Sequence, residues 1–305
     1  MDILYKDPNI WAGLNKPDIT IEEADAIIFG IPYDRGVSFR AGASKAPDEL
    51  RKITYTIDPT TERFESFEEM KILDLGNFHG DSIPEIAEKI EESIRKCINS
   101  NKLFTMIGGD HSTTIPVLQC IDKHIDGTLG IIHLDSHFDL CDEMGGDIYS
   151  HGCTQRRATE LSHTNGLDSI YFVGLRSIEL QEHKFIKDKD LNLLSAMEIS
   201  ELGIKETCSR ILSKMSEFDH IYITVDIDCL DPAYAPGTGT PQFGGLTSRE
   251  LLTMLYEFFK LPIIGMDIVE VAPSLDPSSI ALFAARKIVT ECWGHYMRKT
   301  KGFGF

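Results

Sequence analysis

Apolar runs of strand length alternate with amphipathic segments along the whole chain. Runs such as TLGIIHL and HIYITVDI are almost continuously apolar, which is typical of parallel strands buried on both faces. The segment SIPEIAEKIEESIRKCI instead carries apolar residues at helical spacing, and this spacing predicts an amphipathic helix. The chain therefore alternates predicted strands with predicted helices, as βαβ units do.

Eight strands are predicted, at residues 24–33, 70–77, 102–109, 128–135, 169–176, 191–199, 220–228 and 262–271. Seven helices are predicted between or after them, at residues 46–57, 82–98, 113–125, 177–188, 205–218, 248–260 and 278–297. This alternation indicates an α/β fold with a mainly parallel sheet covered on both faces. A (β/α)₈ barrel has the same alternation, so the pattern alone leaves both architectures open. No linker, repeat or charge block interrupts it, so residues 1–305 are predicted to form one domain.

The composition narrows the functional class. The chain has 305 residues, of which 48 are Asp or Glu and 30 are Lys or Arg, so its formal net charge is −18. This charge disfavours nucleic acid and anionic membranes as partners and suits a cationic substrate. No apolar run reaches the length that spans a bilayer, and the N-terminus MDILYKDPNIW lacks the order of a signal peptide. We therefore expect a cytoplasmic protein that acts on a small molecule.

The seven cysteines are spread singly along the sequence, with no C-x-x-C pair among them. An odd number in this pattern argues against a disulfide framework and against a cysteine zinc knuckle. We expect most of them to be reduced and partly buried.

Acids and histidines follow four predicted strands at the points where those strands end. They are Asp110 and His111, the run Asp135–Asp139, Asp226 with Asp228, and Glu270. In either architecture the carboxyl ends of the strands form the ligand site, so we expect these side chains to converge. Because a buried unpaired carboxylate is costly, a metal ion is the expected compensation.

The spacing of these residues favours metal binding. Asp226 and Asp228 are two positions apart, so an extended backbone turns both carboxylates to the same side. The run Asp135–Asp139 repeats this alternation with His137 at its centre, and His111 adds a second imidazole. Oxygen-rich ligation with two imidazoles suits Mn²⁺ or a similar first-row ion. The set is too large for one ion and indicates a pair, which would activate a bridging water.

Two other interpretations stay open at this point. Each residue taken alone could be a structural strand-end cap or an ion-pair partner, although buried carboxylates still need a compensating charge. Two-metal phosphoester hydrolysis would require Arg or Lys near the metals for the phosphoryl oxygens. The loops around the predicted ligands are poor in both, although Arg156 and Arg157 follow one of them.

Five segments resemble the signatures of the ureohydrolases, the family of arginases, agmatinases, guanidinobutyrases and formimidoylglutamases. They are GIPYDRGVSFRAGASKAP at 30–47, GGDHS at 108–112, DSHFD at 135–139, SHG at 150–152 and TVDIDCLDPAYAPGTGTP at 224–241. With Glu270 they cover nearly the whole chain. Ser136 stands where the family usually has alanine, and Thr224 where it usually has serine. Both residues are small, so neither departure puts the ligands in doubt.

The resemblance implies a three-layer α/β/α sandwich with an eight-stranded, mainly parallel sheet, and a centre of two Mn²⁺ ions. One ion is expected to take His111, Asp135, Asp139 and Asp226. The other is expected to take Asp135, His137, Asp226 and Asp228, so that Asp135 and Asp226 bridge the pair. The resemblance also suggests a homo-oligomer, either a trimer or a hexamer.

The resemblance further implies a reaction at a guanidinium carbon, which releases urea and a primary amine. His151 matches the family histidine proposed for proton transfer to the amine. Glu270 matches the carboxylate that holds the guanidinium, and Asp139 is expected to orient the nucleophile as well. On the residues alone, His151 could equally be a surface histidine and Glu270 an ion-pair partner.

The segment CDEMGGDIYSHG resembles that of agmatinases more than that of arginases. It carries Asp142, Glu143 and Asp147, which we expect to repel the α-carboxylate of arginine and to tolerate the ammonium end of agmatine. Agmatine, cleaved to putrescine and urea, is therefore the expected substrate. The alternatives are another ureohydrolase (a guanidinobutyrase, guanidinopropionase, arginase or formimidoylglutamase) or a catalytically silent relative that binds polyamine.

Overall fold

A computed structural model describes residues 4–302, so the first and last three residues of the predicted domain lie outside the described residues. Eight parallel strands form one sheet in the order β2-β1-β3-β8-β7-β4-β5-β6. The strands are β1 Ala26–Gly30, β2 Ile72–Asn77, β3 Leu103–Ile107, β4 Leu129–Leu134, β5 Ile170–Leu175, β6 Asn192–Ser195, β7 His220–Asp226 and β8 Ile263–Val269. Since β2 and β6 are its edges, the sheet is open. The predicted α/β/α sandwich is confirmed, and the barrel alternative is wrong.

Helices cover both faces of this sheet. They are α1 Ala46–Lys52, α2 Ile83–Asn99, α3 Thr114–Asp122, α4 Thr154–Ala158, α5 Leu180–Ile186, α6 Ala196–Leu202, α7 Ile204–Met215, α8 Ser248–Phe258 and α9 Ile280–Lys301. Alternate residues of a strand enter two separate apolar cores, as period-two side chains must. In β7, Ile223 belongs to the core under α7, α8 and α9, whereas Tyr222 belongs to the core under α2 and α3.

One predicted strand is partly wrong. The strand expected at 191–199 ends at Ser195, and α6 begins at the next residue. The Ser195 side chain accepts the backbone N–H of Glu198 at 3.2 Å, and the Glu198 carboxylate accepts the backbone N–H of Ser195 at 2.9 Å. This capping box starts a helix in a segment whose apolar residues look strand-like.

The four central strands β3, β8, β7 and β4 are neighbours in the sheet. Their carboxyl ends therefore bring the polar residues at 110–111, 135–139, 226–228 and 270 to a single edge. The seven cysteines are free and buried. Between residues 4 and 302, no helix is long and apolar enough to cross a membrane.

Candidate metal centre and active site

Three carboxylates surround the ring of His111. Its Nδ1 atom lies 2.9 Å from Asp139 Oδ2, 3.0 Å from Asp135 Oδ2 and 3.4 Å from Asp226 Oδ2. All four side chains are almost completely buried. The residues predicted for the first ion are therefore brought together around one point.

A second group forms around His137, on the other side of Asp135. His137 Nδ1 lies 3.4 Å from Asp135 Oδ1 and 3.3 Å from Asp228 Oδ2. The two oxygens of Asp135 thus face different histidines, as a bridging carboxylate requires. The Oδ1 atom of each carboxylate also accepts a backbone N–H, that of His137 at Asp135 (2.7 Å) and that of Asp228 at Asp226 (2.8 Å). Asp226 differs because, among the described residues, only His111 lies against its carboxylate, at Oδ2. A bridging role for Asp226 stays a prediction.

Both histidines sit where positive charge is favoured. Burial lowers the pKa of His111, but Asp139, Asp135 and Asp226 outweigh it and raise the pKa well above the usual value. The pKa of His137 is raised to about 12, since Asp228 and Asp135 likewise outweigh the effect of burial. Each group of carboxylates therefore calls for a cation, supplied either by a protonated ring or by a metal ion.

The hydrogen bonds beneath His111 determine which of its ring nitrogens faces the carboxylates. Thr224 Oγ1 donates to Asp267 Oδ1 at 2.7 Å, so its oxygen is left to accept the Nε2–H of His111 at 2.9 Å. If the ring is neutral, this proton on Nε2 leaves the Nδ1 lone pair facing carboxylate lone pairs, which repel it unless a cation lies between them. His111 Nδ1, Asp135 Oδ2 and Asp228 Oδ2 are indeed buried without a hydrogen-bond partner. The donor set fits first-row metal ions.

Two of the predicted catalytic residues have left-handed backbones. Asp139 has φ 55° and Glu270 has φ 60°, a conformation that costs non-glycine residues roughly 1–2 kcal/mol. The backbone N–H of Glu270 donates to Gly109 O at 2.8 Å. A Cβ atom at Gly109 would lie 1.7 Å from Tyr33 O, so only glycine fits beneath this turn. The packing beneath Glu270 therefore holds its strained backbone. Asp139 and Glu270 both direct their carboxylates to the site from this conformation.

Glu270 links His151 to the metal-ligand loop. Glu270 Oε1 accepts the backbone N–H of His111 at 3.0 Å and lies 2.9 Å from His151 Nδ1. Burial lowers the pKa of His151, but the hydrogen bond and the charge of Glu270 outweigh it and raise the pKa to about 9. His151 is therefore protonated at neutral pH and can act as a proton donor.

A cavity of about 150 Å³ opens beside these groups. It is lined by Ser38, His111, His137, Asp139, Cys141, Met144, His151, Gly152, Ser177, Glu179, Glu182, Asp226, Thr240 and Gln242. No Lys or Arg is among these lining residues. Glu182 accepts the backbone N–H groups of Leu140 and Glu179, both at 2.8 Å, and burial raises its pKa to about 7.

The acids expected to select the substrate are not those that line the cavity. Asp142 lies 3.1 Å from the Arg157 guanidinium, and 69% of its side chain is exposed. Asp147 accepts the backbone N–H of Tyr149 at 2.8 Å and lines a neighbouring depression. Among the described residues, Glu179 and Glu182 form an acidic wall of the cavity, and a selective role for the segment 141–150 stays a prediction.

His133 was not assigned a role from the sequence, although it belongs to the same alternating run. Its Nε2 lies 2.9 Å from His137 O, and its Nδ1 lies 3.0 Å from Gln155 Nε2. The ring also stacks on His111, with 5.3 Å between the ring centroids. Both nitrogens have partners, so His133 supports the two histidines predicted to be ligands. Its position two residues before Asp135 is the signal that could have indicated this.

The chain is similar to known proteins over most of its length. Residues 24–294 match the model of the arginase family. A protein named agmatinase from Neisseria meningitidis serogroup A is 37% identical over 275 residues, which are 88% of this chain and 86% of that protein. The solved agmatine ureohydrolase of Thermoplasma volcanium superposes with a TM-score of 0.82 at 25% identity, covering 93% of this chain and 94% of that one. For the proclavaminate amidino hydrolase of Streptomyces clavuligerus the TM-score is 0.85 at 29% identity, with 97% and 99% covered.

Proposed function

Because this chain belongs to the arginase family and is a ureohydrolase, we propose that it hydrolyses agmatine to putrescine and urea with two Mn²⁺ ions. The observation that carries this proposal is the pair of imidazole–carboxylate groups that share Asp135 and open on a cavity with an acidic wall. When bound, the ions would activate water for attack on the guanidinium carbon. The similarity to proteins named agmatinase supports this substrate.

The metal-binding residues in this proposal are His111, Asp135, His137, Asp139, Asp226 and Asp228. The left-handed backbone of Asp139 brings its Oδ2 to His111. Asp139 borders the cavity, so we assign it the second task of orienting the nucleophile.

Glu270 and His151 act on the substrate itself. Glu270 Oε1 is occupied by two donors, whereas Oε2 has no hydrogen bond among the described residues and is available to the guanidinium. A charge-assisted bond of this kind fixes the orientation of the guanidinium plane. His151 supplies the proton that the amine needs as it leaves.

The far end of the substrate faces the acidic wall. Glu179 lines the cavity together with Glu182, and no Lys or Arg is among the lining residues. Glu182 is buried and accepts two backbone N–H groups, whereas Glu179 is exposed, so Glu179 is the better partner for an ammonium group. An α-carboxylate at the same position would meet a like charge.

We also infer that the protein acts in the cytoplasm as a homo-oligomer, either a trimer or a hexamer. The net charge of −18 supports attraction of a cationic substrate over nucleic acid or a membrane surface.

A panel of guanidino compounds tests the proposal. The protein is loaded with Mn²⁺ and incubated with agmatine, guanidinobutyrate, guanidinopropionate, arginine or formimidoylglutamate, and urea and the released amine are measured. We expect equal amounts of urea and putrescine from agmatine. Faster turnover of another compound would replace agmatine as the substrate, and no turnover of any of them would favour a silent polyamine-binding relative.

A further inference from the structure

Glu270, His151 and Ser38 form a continuous chain of hydrogen bonds. Glu270 Oε1 lies 2.9 Å from His151 Nδ1, and His151 Nε2 lies 2.9 Å from Ser38 Oγ. The backbone N–H of Ser38 also points to His151 Nε2 at 3.1 Å. Ser38 is exposed and lines the cavity that holds His111, His137 and Asp139. The three side chains thus lead from a buried carboxylate to the open cavity.

The loop around Ser38 is fixed on both sides. Gly36 N–H donates to Asp110 Oδ2 at 2.7 Å, and Gly36 O accepts from the Ser150 hydroxyl at 2.7 Å and from His151 N–H at 3.1 Å. Beyond Ser38, the Arg40 guanidinium donates to Gly239 O at 2.9 Å and to Thr238 O at 3.1 Å. This loop is therefore bound to the same segment that carries His151.

Ser38 offers a suitable partner to both protonation states of His151. Neutral His151, with its proton on Nδ1, accepts the Ser38 backbone N–H at Nε2. Protonated His151 instead donates its Nε2–H to Ser38 Oγ, whose oxygen has free lone pairs. Because Glu270 occupies one ring nitrogen and Ser38 the other, a proton that leaves the ring toward the cavity passes to the Ser38 hydroxyl.

We infer that Ser38 is the proton relay between His151 and the leaving amine. The inference rests on the proposed function and extends it by a residue that contacts the departing group. As the carbon–nitrogen bond breaks, the amine nitrogen takes the hydroxyl proton of Ser38, and Ser38 Oγ takes the Nε2 proton of His151. The carbon loses its hydroxyl proton to solvent and becomes urea, so the products of this step are urea, the free amine, an unchanged serine and a neutral His151. Solvent returns one proton to His151 before the next turnover.

The same geometry also resembles a carboxylate–histidine–serine nucleophile. The imidazole–carboxylate groups beside Ser38 favour water as the attacking group, which leaves the serine free to move a proton. The two possibilities differ chemically, because a nucleophilic serine would carry the amidino group as a covalent adduct.

The test compares Ser38→Ala with Ser38→Thr, which retains the hydroxyl. In Ser38→Ala we expect kcat for agmatine to fall about 10- to 100-fold. This fall lies at or below the lower end of the range that a positioned proton donor usually contributes. KM and the calorimetric affinity for Mn²⁺ should stay within threefold, since neither involves the relay. Ser38→Thr should recover most of the rate. Phe39→Ala, an exposed neighbour in the same loop, controls for disturbance of the loop.

A second readout does not depend on turnover. Glu270, Asp139 and Asp110 are the charged groups that act on His151, and all three are unchanged in Ser38→Ala. Loss of the acceptor hydroxyl should therefore lower the pH at which the His151 ring titrates by NMR. If the wild type releases no urea from any guanidino compound, the proposed function fails while this titration still tests the hydrogen-bond chain.

Three results would overturn the relay. One is an unchanged kcat in Ser38→Ala, and another is an unchanged His151 titration in that variant. The third is an amidino adduct on Ser38, detected by mass spectrometry of the quenched wild-type enzyme, which would make Ser38 a nucleophile.

Discussion

Asp267 accepts the hydroxyl hydrogen of Thr224 at 2.7 Å, directly beneath the candidate metal-binding cluster. Two further hydroxyl groups, those of Thr114 and Tyr222, donate to the other oxygen of Asp267 at 2.8 Å each. Because the Thr224 hydroxyl donates its hydrogen to this buried carboxylate, the Thr224 oxygen is left to accept the Nε2–H of His111. The arrangement turns the opposite ring nitrogen of His111, Nδ1, toward the carboxylates of Asp135 and Asp139.

The first prediction removes this support. Thr224→Val keeps the shape of the side chain but leaves the His111 Nε2–H without an acceptor. We expect Mn²⁺ affinity to fall about 10- to 100-fold, as for other partners of ligand histidines, when measured by titration calorimetry. Thr224→Ser retains the hydroxyl and should bind Mn²⁺ nearly as tightly as the wild type. Equal affinity in the valine and serine variants would show that the hydroxyl has no part in metal binding.

The second prediction concerns Asp135, whose two oxygens face different histidines. Asp135→Ala removes a ligand from both groups, so we expect both ions to be lost and turnover to be abolished. Asp142→Ala is the matched control, because its carboxylate is exposed and paired with Arg157. Elemental analysis of the purified proteins gives the metal content. Two ions per chain in Asp135→Ala would contradict a bridging role.

The third prediction concerns pH. The Glu270 charge and hydrogen bond raise the pKa of His151 to about 9 against the opposing effect of burial. The protonated form, which we propose as the proton donor to the leaving amine, is present below that pH and is lost above it. The rate should therefore rise from acid to neutral pH as the metal-activated water ionises, and fall above about pH 9. A maximum near pH 5 would rule out this scheme.

Removal of the Glu270 charge tests whether deprotonation of His151 causes the fall in rate at alkaline pH. In Glu270→Gln the alkaline limb of the profile should move to lower pH, because His151 loses the charge that raises its pKa. The rate should fall as well, since the amide holds the guanidinium less tightly. An alkaline limb that stays in place would assign it to another group.

Much of the central architecture was predictable because it depends on local pattern. The apolar runs that end at Ile107, Leu134, Asp226 and Val269 are strands, and the rule for parallel sheets places their polar successors at one edge. The alternation in Asp135–Asp139 likewise predicted a convergence that the structure shows. The end of β6 was missed, because the capping box at Ser195 outweighs the apolar run that follows it.

The wall of the substrate cavity was less predictable. Asp142 looked like a substrate contact, but its charge is paired with Arg157 on the neighbouring helix α4. Glu179 and Glu182 reach the cavity because the segment after β5 turns over the site, and a capping box at the start of α5 joins them. Such placements depend on how loops from different strands pack together, which one sequence does not encode in a periodic pattern.

The fourth prediction tests the acidic wall. Glu179→Gln removes a charge from the cavity lining, so we expect KM for agmatine to rise at least about tenfold, as a hydrogen bond to a charged group contributes about 1.5–3 kcal/mol. Glu143→Gln removes one charge from the segment 141–150, which does not supply the acidic wall, and should leave KM within twofold. A larger rise in KM in Glu143→Gln than in Glu179→Gln would indicate that the segment 141–150 selects the substrate.

The central claim is most directly tested by kcat/KM for agmatine and for arginine, measured at the same Mn²⁺ loading. Both compounds present one guanidinium to Glu270, so the difference between them reports only the other end of the substrate. A carboxylate held a few ångströms from the acidic wall costs about 1–4 kcal/mol, which predicts a preference for agmatine of roughly tenfold to a thousandfold. If kcat/KM for arginine equals or exceeds that for agmatine, the protein is not an agmatinase and its cavity binds an α-carboxylate.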